Sequence, residues 1–358
     1  MSTIIRDLEV TPLDLPLWEP FKIATGIKDA AWNVLVRVIL EDGTVGFGEV
    51  SPSPYTTGDT RETVMAVLDQ LRPTVIGQDV RAWRRLLTET RKAVRHQVAA
   101  HSGLEIAVLD AFGKARGVSL AEMFGGVSDS VETDMTLSLG TPEKAGEDAA
   151  KFVKQGFQKL KIKVGLDVTT DADRIIAVRD NAPEAEIALD ANQAFTPKDA
   201  VELIRQANGR GARVSMFEQP VRKDDFEGMR FVREHCPLPV AADETVFTPE
   251  DALRVVREGA ADMINIKVAK CGILGALEIV SICRTANVGL MIGAMMESKI
   301  GLAASVHLSC GFGNFAHNDL DSVYLLKPFA CEGGFELDGP HFSVAGITGG
   351  TGIVYDPE

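Results

Sequence analysis

From about residue 126 onward the chain alternates short β-rich runs with amphipathic helical stretches, and it does so eight times. The runs are ETDMTLSL, LKIKV, EIALDAN, VSMFEQP, PVAADE, MINIKV, VGLMIGAM and FAHNDLD. Strands alternating with helices are the pattern of βαβ units in a parallel sheet, and eight such strands predict a sheet closed into a barrel. An internal echo agrees. FTPKDA at residues 195–200 recurs as FTPEDA at 247–252, each with Thr as N-cap and Pro at the first helical position. Any well-formed helix start has this chemistry, so the echo speaks for repeated architecture and not for function.

The first 125 residues have a different texture. NVLVRVILEDGTVGFGEV alternates Val34, Val36, Val38 and Leu40 on one face and turns at Asp42-Gly43, which predicts an antiparallel hairpin. Helical periodicity follows in GDTRETVMAVLDQL, with Asp59 and Glu62 as its capping pair, and in SGLEIAVLDAFGKARG, which Gly117 ends. After Ser322 the hairpin texture returns in GGFELDGPHFSV, followed by GITGGTGI. The expected division is an α+β capping module over 1–125, a barrel over 126–322, and a tail over 323–358 that packs back on the first module. The glycine clusters lack the lysine and the strand-then-helix setting of a phosphate loop, so they read as turns.

Composition removes several classes of function. The net charge is -14 and no run of Lys or Arg stands out, so a nucleic-acid backbone or an anionic membrane would be repelled. Five widely spaced cysteines, with no CxxC, fit a reducing compartment and support neither a disulfide framework nor a zinc cluster. No export signal or membrane-length apolar run is visible, so a cytoplasmic location is expected.

Charged residues recur at the ends of the apolar runs: Lys163, Asp190, Glu218, Asp243 and Lys267, at gaps of 27, 28, 25 and 24 residues. That spacing is one βα repeat. It places all five at the carboxyl ends of successive strands, the rim where barrel enzymes gather their reactive groups. Singly, each has a bland explanation as a helix cap, an edge residue or a buried ion pair. Together, five ionisable groups in phase with the structural repeat are hard to credit to stability, because unpaired charge in a barrel mouth is costly.

The composition of the ring makes chemical sense. Asp190, Glu218 and Asp243 are a hard-oxygen set suited to octahedral Mg2+, and there is no His or Cys among them to favour zinc or copper. Lys163 precedes the trio and Lys267 follows it, so in a barrel the two amines face the metal from opposite sides. Within LKIKVG, residues 160–165, period two turns Lys161 and Lys163 inward and Ile162 outward. A second cation so close is expected to lower the pKa of Lys163 and let it act as a base near neutral pH. Removal of a proton α to a carboxylate needs its enediolate stabilised as it forms, which a divalent ion supplies. With an amine on each face, one takes the proton and the other returns one to the opposite side.

These segments resemble the enolase superfamily, specifically its muconate-lactonizing subgroup, over essentially the whole chain. LKIKVG resembles the K-x-K motif, LDANQ, FEQPV and ADET resemble the three metal-ligand segments, and NIKVAKCGI approaches NIKVAKCGG. The resemblance implies a modified TIM barrel of (β/α)7β form, an N-terminal α+β cap completed by the C-terminal tail, one Mg2+ per subunit, and a homo-oligomer. NDLDS is similar to the D-x-D signature of dipeptide epimerases, which implies that Asp319 and Asp321 grip the α-ammonium of a small dipeptide substrate. It also implies substrate contacts from Lys161, Thr136 and Met296, and specificity read by the cap loops PFKIATG and SPSPYTTGD. Epimerases of Ala-Glu place an arginine in the first loop near the position of Gly26. This chain has none there, leaving Lys22 as the nearby cation and both an acidic and a hydrophobic second residue open. N-acylamino acid racemase, cycloisomerase or o-succinylbenzoate synthase activity stays open too, as does a non-catalytic binding barrel.

Overall fold

The computed structural model describes residues 2–23 and 26–356. Three long strands open the chain: β1 (Ile5–Ile23), β2 (Gly26–Leu40) and β3 (Val45–Val50), paired antiparallel in that order. The predicted hairpin is β2–β3, with Val34 opposite Val50 and Val38 opposite Gly46. Its inner face packs against α1 (Arg61–Val75), α2 (Trp83–Ala93) and α3 (Val98–Arg116), in a core that includes Val34, Val36, Val38, Leu40, Leu68 and Leu104. Each such side chain withdrawn from water contributes about 1.5–3 kcal/mol. The cap of α1 differs from expectation. Thr60 is its N-cap and forms a reciprocal capping box with Thr63, while Asp59 lies just outside, because a hydroxyl at each position can bond the other's backbone N–H. A short α4 (Leu120–Phe124) and β4 (Ser130–Glu132) lead into the second sheet.

That sheet has eight strands, all parallel: β5 (Met135–Leu137), β6 (Lys159–Lys163), β7 (Glu186–Asp190), β8 (Val214–Glu218), β9 (Val240–Ala242), β10 (Met263–Lys267), β11 (Gly289–Gly293) and β12 (His317–Asp319). Between them run α5 (Pro142–Lys154), α6 (Val168–Asn181), α7 (Pro197–Gly209), α8 (Phe226–His235), α9 (Pro249–Glu258), α10 (Val268–Ala286) and α11 (Lys299–Phe312). The two echoed hexapeptides start α7 and α9, with Thr196 and Thr248 as N-caps and Pro197 and Pro249 in the first turn. The first and last strands close the cylinder by bonds from flanking residues rather than by a ladder. Asp134 N–H donates to the Asn318 carbonyl (2.9 Å), and Leu320 N–H donates to Thr133 Oγ1 (2.9 Å).

Inside the barrel, inward-facing residues form two levels. The lower is apolar: Ala188, Met216, Ala241, Met263 and Met291 pack on one another. Outward residues such as Ile162, Leu189, Phe217 and Ile266 join the large core beneath the helices. After β12 the chain makes the four-residue α12 (Ser322–Leu325), then β13 (Glu336–Asp338) and β14 (His341–Ser343), a hairpin added to β4. The final turn packs on α3, where Asp110 accepts from Thr351 N–H at 2.7 Å and Lys114 donates to the Ile353 carbonyl at 2.6 Å. The tail thus touches α3 of the capping module and pairs with β4. Among the described residues no helix is long and apolar enough to cross a membrane.

Candidate active site

Strand register assembles the mouth. Lys163 lies opposite Asp190 and Asp190 opposite Glu218, so β6, β7 and β8 end at one level. Across the barrel Lys267, Gly293 and Asp319 form a second row, and Asp243 stands just past the end of β9. Strands β6 to β10 therefore end in the order Lys, Asp, Glu, Asp, Lys. All five side chains are buried. Gly293 is needed for this arrangement: a Cβ there would meet Lys267 Cε at 2.9 Å and the Asn265 amide at 2.8 Å.

The charges are paired asymmetrically. Lys163 Nζ bonds Asp190, and Lys267 Nζ bonds Asp243 at 2.8 Å. Asp243 also accepts from Lys270; burial works to raise its pKa, and the two lysines overrule burial and hold it low. Burial disfavours the charge on Lys267, yet Asp243, Glu218 and Asp319 outweigh that and keep it cationic. Lys161 bonds Asp319 and lies 3.9 Å from Asp190 and 3.8 Å from Glu218. It is a fixed cation shared among three carboxylates: burial opposes its charge and those neighbours restore it. Glu218 accepts from Asn265 Nδ2 at 2.6 Å, and its other oxygen has no hydrogen-bond partner. Burial, and then the charge of Asp190, push its pKa up to about 8.

Three buried carboxylates from adjacent strands, one with an orphan oxygen and a pKa raised by burial and by its acidic neighbour, form a donor set that fits a hard divalent cation. Their oxygens are not the closest-gathered acidic group. Among the described residues that is Asp134, Asp319 and Asp321, whose oxygens lie within 4.8 Å of one another, whereas Asp190 and Asp243 are turned toward lysines. Asp319 ends β12, but Asp321 does not continue the strand as period two predicts; it sits at the N-cap of α12 with φ -82° and ψ 0°. The turn at Leu320 still brings both carboxylates to one side. Asp321 accepts from Thr136 N–H at 2.7 Å. One Asp134 oxygen has no partner, and burial and then the charge of Asp319 raise its pKa.

Asp319, Asp321, Thr136, Lys161, Lys163, Asp243 and Lys267 all line one cleft under the cap. Its apolar lining is built by Phe21, Ile23, Ile27, Tyr55, Met296 and Leu325, beside the cap hydroxyls of Ser53 and Thr56. Met296 belongs to the loop after β11, held from the cap by Asn33 Nδ2 (2.8 Å) and Ser51 Oγ (3.1 Å) on its carbonyl. Lys22 is exposed and does not line the cleft, and Ala24 and Thr25 of the first cap loop lie outside the described residues. Asp134, Asn265 and Gln219 escape the motif reading. Asp134 and Asn265 each stand two residues before a noted inward residue, Thr136 and Lys267, so period two was the available signal. Gln219 follows Glu218 in a left-handed conformation (φ 37°), and its side-chain Oε1 accepts from Asp243 N–H at 2.9 Å and Thr245 N–H at 3.1 Å. Such strain beside a cluster of charges is characteristic of functional sites.

The chain is similar to known proteins over nearly its whole length. Residues 144–358 match the profile of the enolase C-terminal domain-like family, and residues 6–125 match the mandelate racemase/muconate lactonizing enzyme N-terminal domain. An aromatic dipeptide epimerase of Herpetosiphon aurantiacus is 37% identical over 98% of this chain and 98% of its own. An L-Ala-D/L-Glu epimerase of Thermotoga maritima is 38% identical over 91% of this chain and 94% of its own. The crystal structure of a dipeptide epimerase from Enterococcus faecalis, complexed with Mg and the dipeptide L-Leu-L-Tyr, superposes with a TM-score of 0.95 at 34% identity, covering 99% of this chain and all of that one.

Proposed function

The chain belongs to the mandelate racemase/muconate lactonizing enzyme family of the enolase superfamily, and from that premise we propose that it is a magnesium-dependent dipeptide epimerase that moves the proton on the carbon α to the substrate's carboxylate from one face to the other. The observation that carries this reading is the order Lys, Asp, Glu, Asp, Lys across β6 to β10, with each lysine bonded to the carboxylate next to it. Asp190, Glu218 and Asp243 are the residues that would hold the cation. When bound, it supplies positive charge against the substrate carboxylate and makes the adjacent C–H acidic.

The remaining steps fall to side chains of this chain. Lys163 and Lys267 serve the two faces, one taking the proton in its neutral form and the other delivering one in its charged form. Lys161, held cationic, offsets the negative charge that develops between them. The substrate's free ammonium meets Asp319 and Asp321, with Asp134 behind them; Lys161 pairs with Asp319 alone of the three, and a recess so rich in carboxylate suits a cation and repels an anion. Cap residues Phe21, Ile23, Ile27 and Tyr55 line the cleft, and a bound substrate beneath them would displace water and strengthen each of these interactions.

The apolar lining favours a hydrophobic or aromatic second residue. Among the described cleft-lining residues the cations are Lys161, Lys163 and Lys267, all engaged with carboxylates, so an acidic side chain has no partner there. A library of dipeptides and N-acylated amino acids incubated in D2O and read by mass spectrometry tests both points. The expected result is α-deuteration of dipeptides with bulky apolar second residues, well ahead of Ala-Glu. Deuteration restricted to N-acylated amino acids would overturn the ammonium role, and none at all would overturn the epimerase reading.

A further inference from the structure

Lys267 sits at the start of an interrupted helix. Residues Val268–Cys271 form one turn, then Gly272 breaks α10 with φ 68° and ψ 174° before the helix resumes. Two capping-module residues grip this break. Arg91 of α2 donates from Nη2 to the Cys271 carbonyl (2.8 Å), and Glu105 of α3 accepts from Leu274 N–H (2.9 Å). The two are ion-paired at 2.6 Å, and Glu105 is wholly buried. A carboxylate there satisfies backbone donors that a restarting helix leaves orphaned. Leu274 inserts into the core of the capping module, among residues of α2 and α3. Gly272 has no room for a side chain: a Cβ would lie 2.4 Å from Arg91 Nη2 and 2.5 Å from Glu105 Oε2. One turn back, Lys270 donates to both the Asp243 carbonyl and its carboxylate. The grip on residues 271–274 thus extends directly to Lys267 and Lys270.

Lys163 is held differently. Its carbonyl accepts from Arg174 Nη1 of α6 at 2.6 Å, and Arg174 pairs with Asp171 at 2.9 Å. Asp171 in turn accepts from the N–H groups of Gly165 and Leu166 at 2.8 and 2.9 Å. Every one of these residues belongs to the βα unit of Lys163 itself.

We infer that the two faces of the reaction are positioned by different parts of the molecule: Lys163 by the barrel's own Arg174–Asp171 pair, and Lys267 by the capping module through Arg91 and Glu105 acting as positioning residues. The inference rests on the epimerase reading, and it couples one of two otherwise equivalent half-reactions to how the cap is seated. A displacement near 1 Å of a reacting group costs about 100-fold, so loosening the grip should slow one face selectively.

The test uses Glu105→Gln and Arg91→Lys in the full chain, with α-proton exchange in D2O followed separately from each stereoisomer of a substrate dipeptide. Lys163→Ala identifies the isomer exchanged by Lys267. Each cap variant is expected to slow exchange from that isomer by about tenfold and to leave the other unchanged, while Asp171→Asn does the reverse. If Glu105→Gln does not fold, Arg91→Lys, whose side chain is 29% exposed, decides the matter. Equal slowing of both faces, or of neither, in a folded variant overturns this inference alone. Absence of exchange by the unmodified enzyme overturns the epimerase reading and this inference with it.

Discussion

On β7 and β8 the floor and the mouth of the barrel lie one inward-facing step apart. Two residues separate Ala188 from Asp190 on β7 and Met216 from Glu218 on β8, and the same step past β9 leads from Ala241 to Asp243. The backbone is alike at both levels. The floor is a mutually packed apolar layer with nothing to titrate, which seals the cylinder and contributes stability through burial. The mouth carries buried charges whose ionisation is displaced, Glu218 up toward 8 and Asp243 down. Stability at one level underwrites destabilising polarity two residues away.

Substitutions at the two levels should therefore separate activity from stability. The largest effect is expected at the mouth: Lys163→Ala or Lys267→Ala should lower epimerisation by about 1,000-fold or more, measured by NMR of the two diastereomers on the folded fraction. Next comes the floor. Met216→Ala should reduce unfolding free energy by about 3 kcal/mol in chemical denaturation while turnover of the folded fraction holds; a drop in turnover with unchanged stability would erase the distinction between levels.

A pH series sharpens the contrast further. Glu297 is buried beside Met296 in the loop after β11, near Glu49 of β3; burial, and then the charge of Glu49, raise it to about 7 from an ordinary 4.5. Between those values the folded state holds a proton the unfolded chain has released, so this contribution is intact below pH 4.5 and lost as pH rises through 7. Glu297→Gln should make unfolding free energy less dependent on pH between 5 and 8, by about 2 kcal/mol; an unaltered slope would contradict it. The smallest expected change is Asp321→Asn, about tenfold in kcat/KM for a free-amine dipeptide, since Asp319 and Asp134 remain; no loss would remove the ammonium role.

Much of this contrast is visible in the amino-acid order because barrel chemistry is periodic. Lys163, Asp190, Glu218, Asp243 and Lys267 recur with the βα repeat, and hydroxyl-proline helix starts mark α7 and α9. What escapes is aperiodic. The capping of α1 by Thr60 depends on a local competition among neighbouring polar side chains, and Asp321 leaves the strand period because the chain turns into α12. The bond from Arg91 to Cys271 spans 180 residues and leaves no spacing to read. Asp134 carries no motif of its own and gains its meaning only where β5 meets β12.

The central claim is that two amines serve opposite faces of one carbon. It is tested most directly by following α-deuterium incorporation, with retention, into each pure dipeptide stereoisomer by Lys163→Ala and by Lys267→Ala. The account predicts that each variant exchanges a single isomer, that the two isomers are opposite, and that neither variant inverts its substrate. A variant that exchanges both isomers, or two variants that exchange the same one, would contradict it.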